Sequence, residues 1–174
     1  MSADAPAARP APVLTGPMTW ADVVAHPALQ DLPFKIELDR HGRLLMSPSH
    51  FRHGRRQSSL FRLLTRLPGG EPMVECALHT ADGIRVPDVV WMSDAFLAGV
   101  NADAFALDRA PEICAEVMSP SNTWAEMEEK VVLYLARGAQ EVWIVEADGR
   151  VRWFGHAGER PESALVPDAP SALP

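Results

Sequence analysis

Residues 110–151, APEICAEVMSPSNTWAEMEEKVVLYLARGAQEVWIVEADGRV, place an apolar run, a capped amphipathic segment and a second apolar run in succession. EICAEVM (112–118) is apolar, carries β-branched residues and ends at the SPS of 119–121, so it reads as a strand. The middle segment predicts a helix over 124–137, opened at Thr123 and ended at Gly138. EVWIVEA (141–147) then returns to strand character. Strand, helix and strand in this order fit a mixed, partly parallel α/β sheet.

Working outward, PMVECAL (72–78) and IRVPDVVWM (84–92) are further strands on the N-terminal side, and RVRWFG (150–155) is one on the C-terminal side. KIELD (35–39) and GRLLM (42–46) flank Arg40, His41 and Gly42, which predicts a hairpin. Residues 50–67 bring Leu60, Leu63, Leu64 and Leu67 to helical spacing, while Arg52, Arg55, Arg56, Arg62 and Arg66 leave a basic remainder. Thr19 caps a short helix in WADVVAH that Pro27 ends. Residues 1–17 and 157–174, rich in Ala and Pro without apolar periodicity, read as flexible extensions. That leaves one domain over 18–156, as expected for 174 residues of which 47% are hydrophobic.

Composition narrows the function. Cys76 and Cys114 lie in apolar runs without a close-spaced thiol or histidine partner, so neither a disulfide framework nor a zinc site is expected. There is no basic N-terminal region followed by an apolar run, and no stretch nears the roughly 18 apolar residues of a membrane span. A cytoplasmic protein with no membrane partner is expected. The formal net charge of -7 argues against a generally phosphate-neutralising surface, so any contact with nucleic acid must be local. Arginine outnumbers lysine fourteen to two, the lysines being Lys35 and Lys130.

Two acids stand inside runs that ought to be buried, Asp88 in VPDVVWM and Glu116 in ICAEVM. A buried carboxylate is costly unless it is paired or bound to metal. If the two strands are neighbours, Asp88 and Glu116 converge on one face and can hold a hard divalent cation such as Mg²⁺ (or Mn²⁺). Phosphodiester hydrolysis is the chemistry that such a pair supports. Each acid taken singly also fits a structural carboxylate bonded to a nearby N–H or Arg. Such a reaction further needs a cation for the charge that develops in the transition state. Two residues after Glu116 stands Met118, which donates nothing, so either the site is inactive or the cation comes from elsewhere in the chain. Lys130 is the candidate, on a helical line with Glu126 and Tyr134 at four-residue intervals. The same spacing also fits a capping box from Thr123 to Glu126 and a helical ion pair from Glu126 to Lys130.

These residues resemble the Uma-two family of putative restriction endonucleases, a group within the PD-(D/E)xK nuclease superfamily. The likeness covers about 18–154: MTWADVVAHP, then IELDRHGRLLMSPS followed by His53, then RVPDVVWMSD, then the 110–151 stretch. In that last stretch E-V-x-S-P-S, a lysine and tyrosine on the next helix, and a glycine followed by E-x-W-I-V keep the family's order. The resemblance implies a restriction-endonuclease-like mixed β-sheet core flanked by helices and preceded by a β-hairpin. It also implies a metal-dependent site with Asp88 and Glu116 as ligands, Lys130 as the displaced cation and Glu37 as a further catalytic acid. Arg52, His53, Arg55 and Arg56 become candidate nucleic-acid contacts, and Glu126 and Tyr134 candidate supports around the ligands. The family usually has Asp where Glu126 stands and often where Glu146 stands, and family chains commonly continue with further strands beyond the point corresponding to Phe154.

The expected function is a Mg²⁺-dependent endonuclease acting on DNA, with a homodimer suited to cutting two strands. Two alternatives stay open: a nuclease-fold binding module without turnover, and a nuclease acting on RNA.

Overall fold

The computed structural model describes residues 16–48 and 50–174, so most of the expected N-terminal extension lies outside the described residues. α1 (Trp20–Ala25) begins at Thr19, whose side chain accepts from the Asp22 N–H while the Asp22 carboxylate accepts from the Thr19 N–H, a full capping box. β1 (Phe34–Leu38) and β2 (Leu44–Pro48) pair antiparallel as the expected hairpin. Asp39 closes the turn: its Oδ1 accepts from the His41 N–H at 2.8 Å and from the Arg43 N–H at 3.0 Å. α2 (Phe51–Leu64) is the basic amphipathic helix.

PMVECAL and IRVPDVVWM are each divided, contrary to their reading as single strands. The first splits into β3 (Gly70–Val74) and β4 (Leu78–Thr80), with Glu75 at φ 51 turning the chain between them. The second splits into β5 (Gly83–Arg85) and β6 (Val89–Ser93). Pro87, which has no N–H to give to a ladder, stands at the break. The divisions produce two sheets: β2-β1-β5-β4, and a larger one containing β3 and β6. α3 (Asp94–Leu97), capped by Ser93, follows β6 and was not expected from the sequence.

β7 (Ile113–Val117), α4 (Trp124–Ala136) and β8 (Glu141–Val145) form the predicted strand-helix-strand unit, and β7 and β8 pair in parallel. β9 (Val151–Gly155) and β10 (Gly158–Arg160) complete the larger sheet, whose order is β10-β9-β8-β7-β6-β3. Alternation along the strands divides its core between two helices. Val89, Ile113, Ala115 and Val117 pack with Leu60 and Leu64 of α2. Val90, Cys114, Val142 and Ile144 pack with Met127, Val131 and Tyr134 of α4. Each fully buried Leu, Ile or Val contributes about 1.5–3 kcal/mol, which fixes both helices against the sheet.

The C-terminal segment corrects the expectation of a flexible tail over 157–174. β10 pairs with β9, Val166 and Leu173 are buried in the α2-side core, and the Leu173 N–H donates to the Gly149 carbonyl at 2.7 Å. Glu141 supplies the physical reason. This fully buried carboxylate accepts from Ser163 Oγ at 2.6 Å, from the Ala164 N–H at 2.5 Å and from Arg160 Nη1 at 3.2 Å, all in that segment. Among the described residues no helix is long and apolar enough to cross a membrane.

Candidate active site

Glu116 lies on β7 beside β6, with Ala115 opposite Val89, so Asp88 falls next to Glu116 where the ladder ends. Both carboxylates are buried, at 1% and 2% exposure. Asp88 is not a strand residue as the sequence suggested: it precedes β6, just after Pro87, and this frees its side chain to accept across the gap from the Val117 N–H at 2.7 Å. β1 of the smaller sheet adds Lys35 and Glu37, two residues apart and therefore on one face of the strand. α4 adds Lys130 and Tyr134, one helical turn apart.

Five charged groups and a phenol meet there. Lys130 Nζ donates to Glu116 Oε1 at 2.9 Å and to Glu37 Oε1 at 3.0 Å. Tyr134 OH donates to Glu116 Oε1 at 2.5 Å. Lys35 Nζ bridges Asp88 Oδ1 at 2.6 Å and Glu116 Oε2 at 3.1 Å. Glu37 Oε1 also accepts from the Val86 N–H at 2.7 Å, which ties the smaller sheet to the crossover before Pro87. The cluster lies at the floor of a cleft of about 540 Å³ whose walls include His50, Gln57, Ser119 and Asn122.

Burial opposes every charge here, and the partners decide the outcome. Burial alone would raise Asp88 and Glu37; the Lys35 ammonium and the contact with His53 pull Asp88 below the ordinary carboxylate value, and Lys130, Lys35 and the Val86 N–H do the same for Glu37. Glu116 is the most enclosed by other acids, and burial pushes it up despite Lys130 and Lys35. For Lys35, burial is outweighed by Glu116, Asp88 and Glu37, which together raise its pKa and keep it charged. Burial and the neighbouring Glu116 raise Tyr134 well above its usual value, so it stays a proton donor.

The structure therefore brings Glu37, His53, Asp88, Glu116, Lys130 and Tyr134 together, leaves Glu126 on the cleft wall, and places Arg52, Arg55 and Arg56 elsewhere. His53 reaches inward: its Nε2 lies 3.0 Å from Asp88 Oδ2, so its contact is with the carboxylate rather than with open surface. His50, His53, Gly54 and Gln57 of α2 line the cleft, whereas Arg52 and Arg55 are exposed on other sides of the helix, as its period requires. Arg56 is half-buried, with its guanidinium toward the turn at Gly149. The Glu126 carboxylate caps α4, accepting from the Thr123 N–H at 2.7 Å, and makes no bond to Glu37, Asp88, Glu116 or Lys130 among the described residues.

Lys35 and Gln57 are the site residues that sequence reasoning missed. Gln57 Nε2 donates to the Asp88 carbonyl at 2.9 Å, holding the acid from behind. For Lys35 a signal existed: it is one of only two lysines, and it stands two residues from Glu37 in a strand. The donor set suits a hard divalent cation, because two buried carboxylates already converge on one positive centre, the Lys35 ammonium. Among the described residues no three His, Cys, Asp or Glu side chains are arranged to hold a metal together. A metal at this pair would therefore keep several waters, as Mg²⁺ commonly does.

Comparisons with known proteins identify the fold and the family. A crystal structure described as a putative nuclease belonging to DUF820, from Anabaena variabilis ATCC 29413, superposes with a TM-score of 0.68 at 18% sequence identity, covering 91% of this chain and 90% of that one. At that identity the likeness establishes the fold, which is the restriction-endonuclease-like one the sequence implied. No curated protein matches the chain. The profile of the Uma2 family, described as "Putative restriction endonuclease", matches residues 20–171. With nearly the whole described chain inside that match, the protein belongs to the Uma2 family of putative restriction endonucleases.

Proposed function

We propose that the protein is a divalent-metal-dependent endonuclease that hydrolyses DNA phosphodiester bonds in the cleft above Asp88 and Glu116. The observation that carries this reading is the convergence of two buried acids, one just before β6 and one on the neighbouring β7, with an ammonium from the following helix. Asp88 and Glu116 are the ligands for Mg²⁺ or Mn²⁺. The chemistry this cation supplies when bound is activation of water and screening of charge at the scissile phosphate. Lys130, pinned by Glu37 and Glu116, presents its ammonium to the negative charge that develops on the phosphoryl oxygens. Its position on α4 supplies the cation that Met118 cannot. Tyr134 orients Glu116, while His53 and Gln57 hold Asp88. Arg52 and Arg55, exposed on the helix that walls the cleft, contact backbone phosphates and give a local positive surface to an acidic chain. A homodimer would place two such clefts on opposite strands.

Plasmid nicking with Mg²⁺ or Mn²⁺ tests the reading. Asp88→Asn and Lys130→Met should each lower the rate by about a hundredfold or more. Equal activity in wild type and both variants would reject the assigned site, and faster cleavage of an RNA of matching sequence would move the substrate to RNA. A binding module without turnover is the second reading, favoured by Met118 in the usual lysine position and by Lys35 between the two acids. DNA binding with no nicking under either metal would support it.

A further inference from the structure

Lys35 holds a position that neither the carboxylate pair nor Lys130 accounts for. Its ammonium lies between Asp88 Oδ1 and Glu116 Oε2, one oxygen from each proposed metal ligand. Lys130 differs: it touches Glu116 through the other oxygen and spends its second bond on Glu37, so it does not bridge the pair. The other oxygens already have partners, Asp88 Oδ2 the Val117 N–H and His53, and Glu116 Oε1 Lys130 and Tyr134, so a divalent ion held by this pair would compete with Lys35 for the remaining two, and two cations at contact distance repel strongly. We propose that Lys35 is an exchangeable counter-cation seated in the metal position, displaced into the cleft when a divalent ion binds. The inference rests on the metal-dependent reading above and adds to it a residue that sets metal affinity.

The local structure permits the exchange. Lys35 is on β1, in the smaller sheet, whereas Glu116 is on β7 and Asp88 adjoins β6 in the larger one, so a swing of the Lys35 side chain leaves the β6–β7 ladder in place. Its side chain is 14% exposed and borders the cleft, and a four-carbon stem can swing by rotamer changes alone. The seated ammonium also neutralises the repulsion between two deeply buried acids that would otherwise push them apart. Once displaced, the ammonium faces the space in which a phosphate backbone would lie. Metal loading and substrate attraction are then linked through one side chain.

Two measurements on the full chain without DNA test the exchange. Calorimetric titration with Mn²⁺ compares wild type, Lys35→Met, Lys35→Arg and Lys130→Met. Removing the competitor should tighten Mn²⁺ binding by about tenfold or more in Lys35→Met, a low figure for one unit charge at contact distance. Lys35→Arg, which keeps a positive charge, should bind no tighter than wild type, and Lys130→Met should change less than Lys35→Met. The second measurement needs no variant and so does not depend on any variant folding. Reductive methylation of wild type, read by peptide mass spectrometry, should modify Lys35 faster when Mn²⁺ is added while Lys130 stays slow. If wild type binds Mn²⁺ but Lys35→Met binds no tighter, or Lys35 labelling does not rise, the exchange is refuted and the metal reading survives. If neither wild type nor Lys35→Met binds Mn²⁺, both fall together.

Discussion

Asp88 shows how one side chain is made to serve a site. Its carboxylate accepts from Lys35, from the Val117 N–H and at His53, and its own carbonyl accepts from Gln57, so β1, β7 and α2 meet on one residue. Tyr134 plays the matching part for Glu116 from inside the core. Tyr134→Phe removes only the O–H donor, and loss of a buried bond to a charged acceptor should cost about 2 kcal/mol in urea denaturation; no change in stability would deny that bond. Asp39 offers a test by pH. The Arg43 N–H, with the Arg43 guanidinium and the His41 N–H, holds its carboxyl at about 2. A depressed acid contributes stability that is present above its unfolded value of roughly 3.9 and is lost as pH falls through about 2. The gap in melting temperature between wild type and Asp39→Asn should therefore be full at pH 7 and close below pH 2. A gap independent of pH would mean that the turn does not depend on the ionised form. Asp88, Glu116 and Lys130 were legible in the sequence because an acid in an apolar run and a rare lysine in an arginine-rich chain are both anomalies. Lys35 shares that rarity, but its seat between two acids 53 and 81 residues away was not legible, because no local pattern reports a contact at that separation.

At the scale of elements, the strand-helix-strand unit over 112–145 was readable because caps, periodicity and bounding residues all agreed. The two divided strands were not, since both halves of IRVPDVVWM are apolar and only Pro87 marks the passage from one sheet to the other. That passage matters: it carries Asp88 to its place, and the smaller sheet carries Lys35 and Glu37. Gly83 is the point where β5 meets β1. It has φ +90, and a Cβ there would stand 2.4 Å from the Leu38 carbonyl oxygen. Gly83→Ala should destabilise the chain by about 1–3 kcal/mol, with hydrogen exchange rising first in β1 and β5. Protection unchanged in β1 would separate the two sheets energetically. On α2, charge reversal of Arg52 and Arg55 should weaken DNA binding uniformly across sequences and flatten its salt dependence by about two phosphate contacts. An unaltered salt slope would place the DNA on another surface.

For the whole molecule, the C-terminal segment is where sequence reading erred most. Its Ala and Pro content resembles a loose tail, yet it brings donors to a carboxylate on β8 that would otherwise be buried alone. Removing residues 157–174 would strip Glu141 of Arg160, Ser163, Ala164 and Leu165 and leave only the Trp143 Nε1 bond. An uncompensated buried charge costs about 3–5 kcal/mol, so the truncated chain should unfold at much lower urea than wild type. Equal midpoints would restore the flexible tail. The acidic balance of the chain, the local basic helix and the mixed-charge cleft become consistent once the two lysines are seen to lie among the three acids. Crystals grown with Mn²⁺ and measured at the manganese absorption edge test that arrangement directly. An anomalous peak between Asp88 and Glu116, with the Lys35 ammonium moved aside and Lys130 still against Glu116, is the predicted result. A peak elsewhere, or none at saturating Mn²⁺, would contradict a metal-dependent nuclease site at this pair.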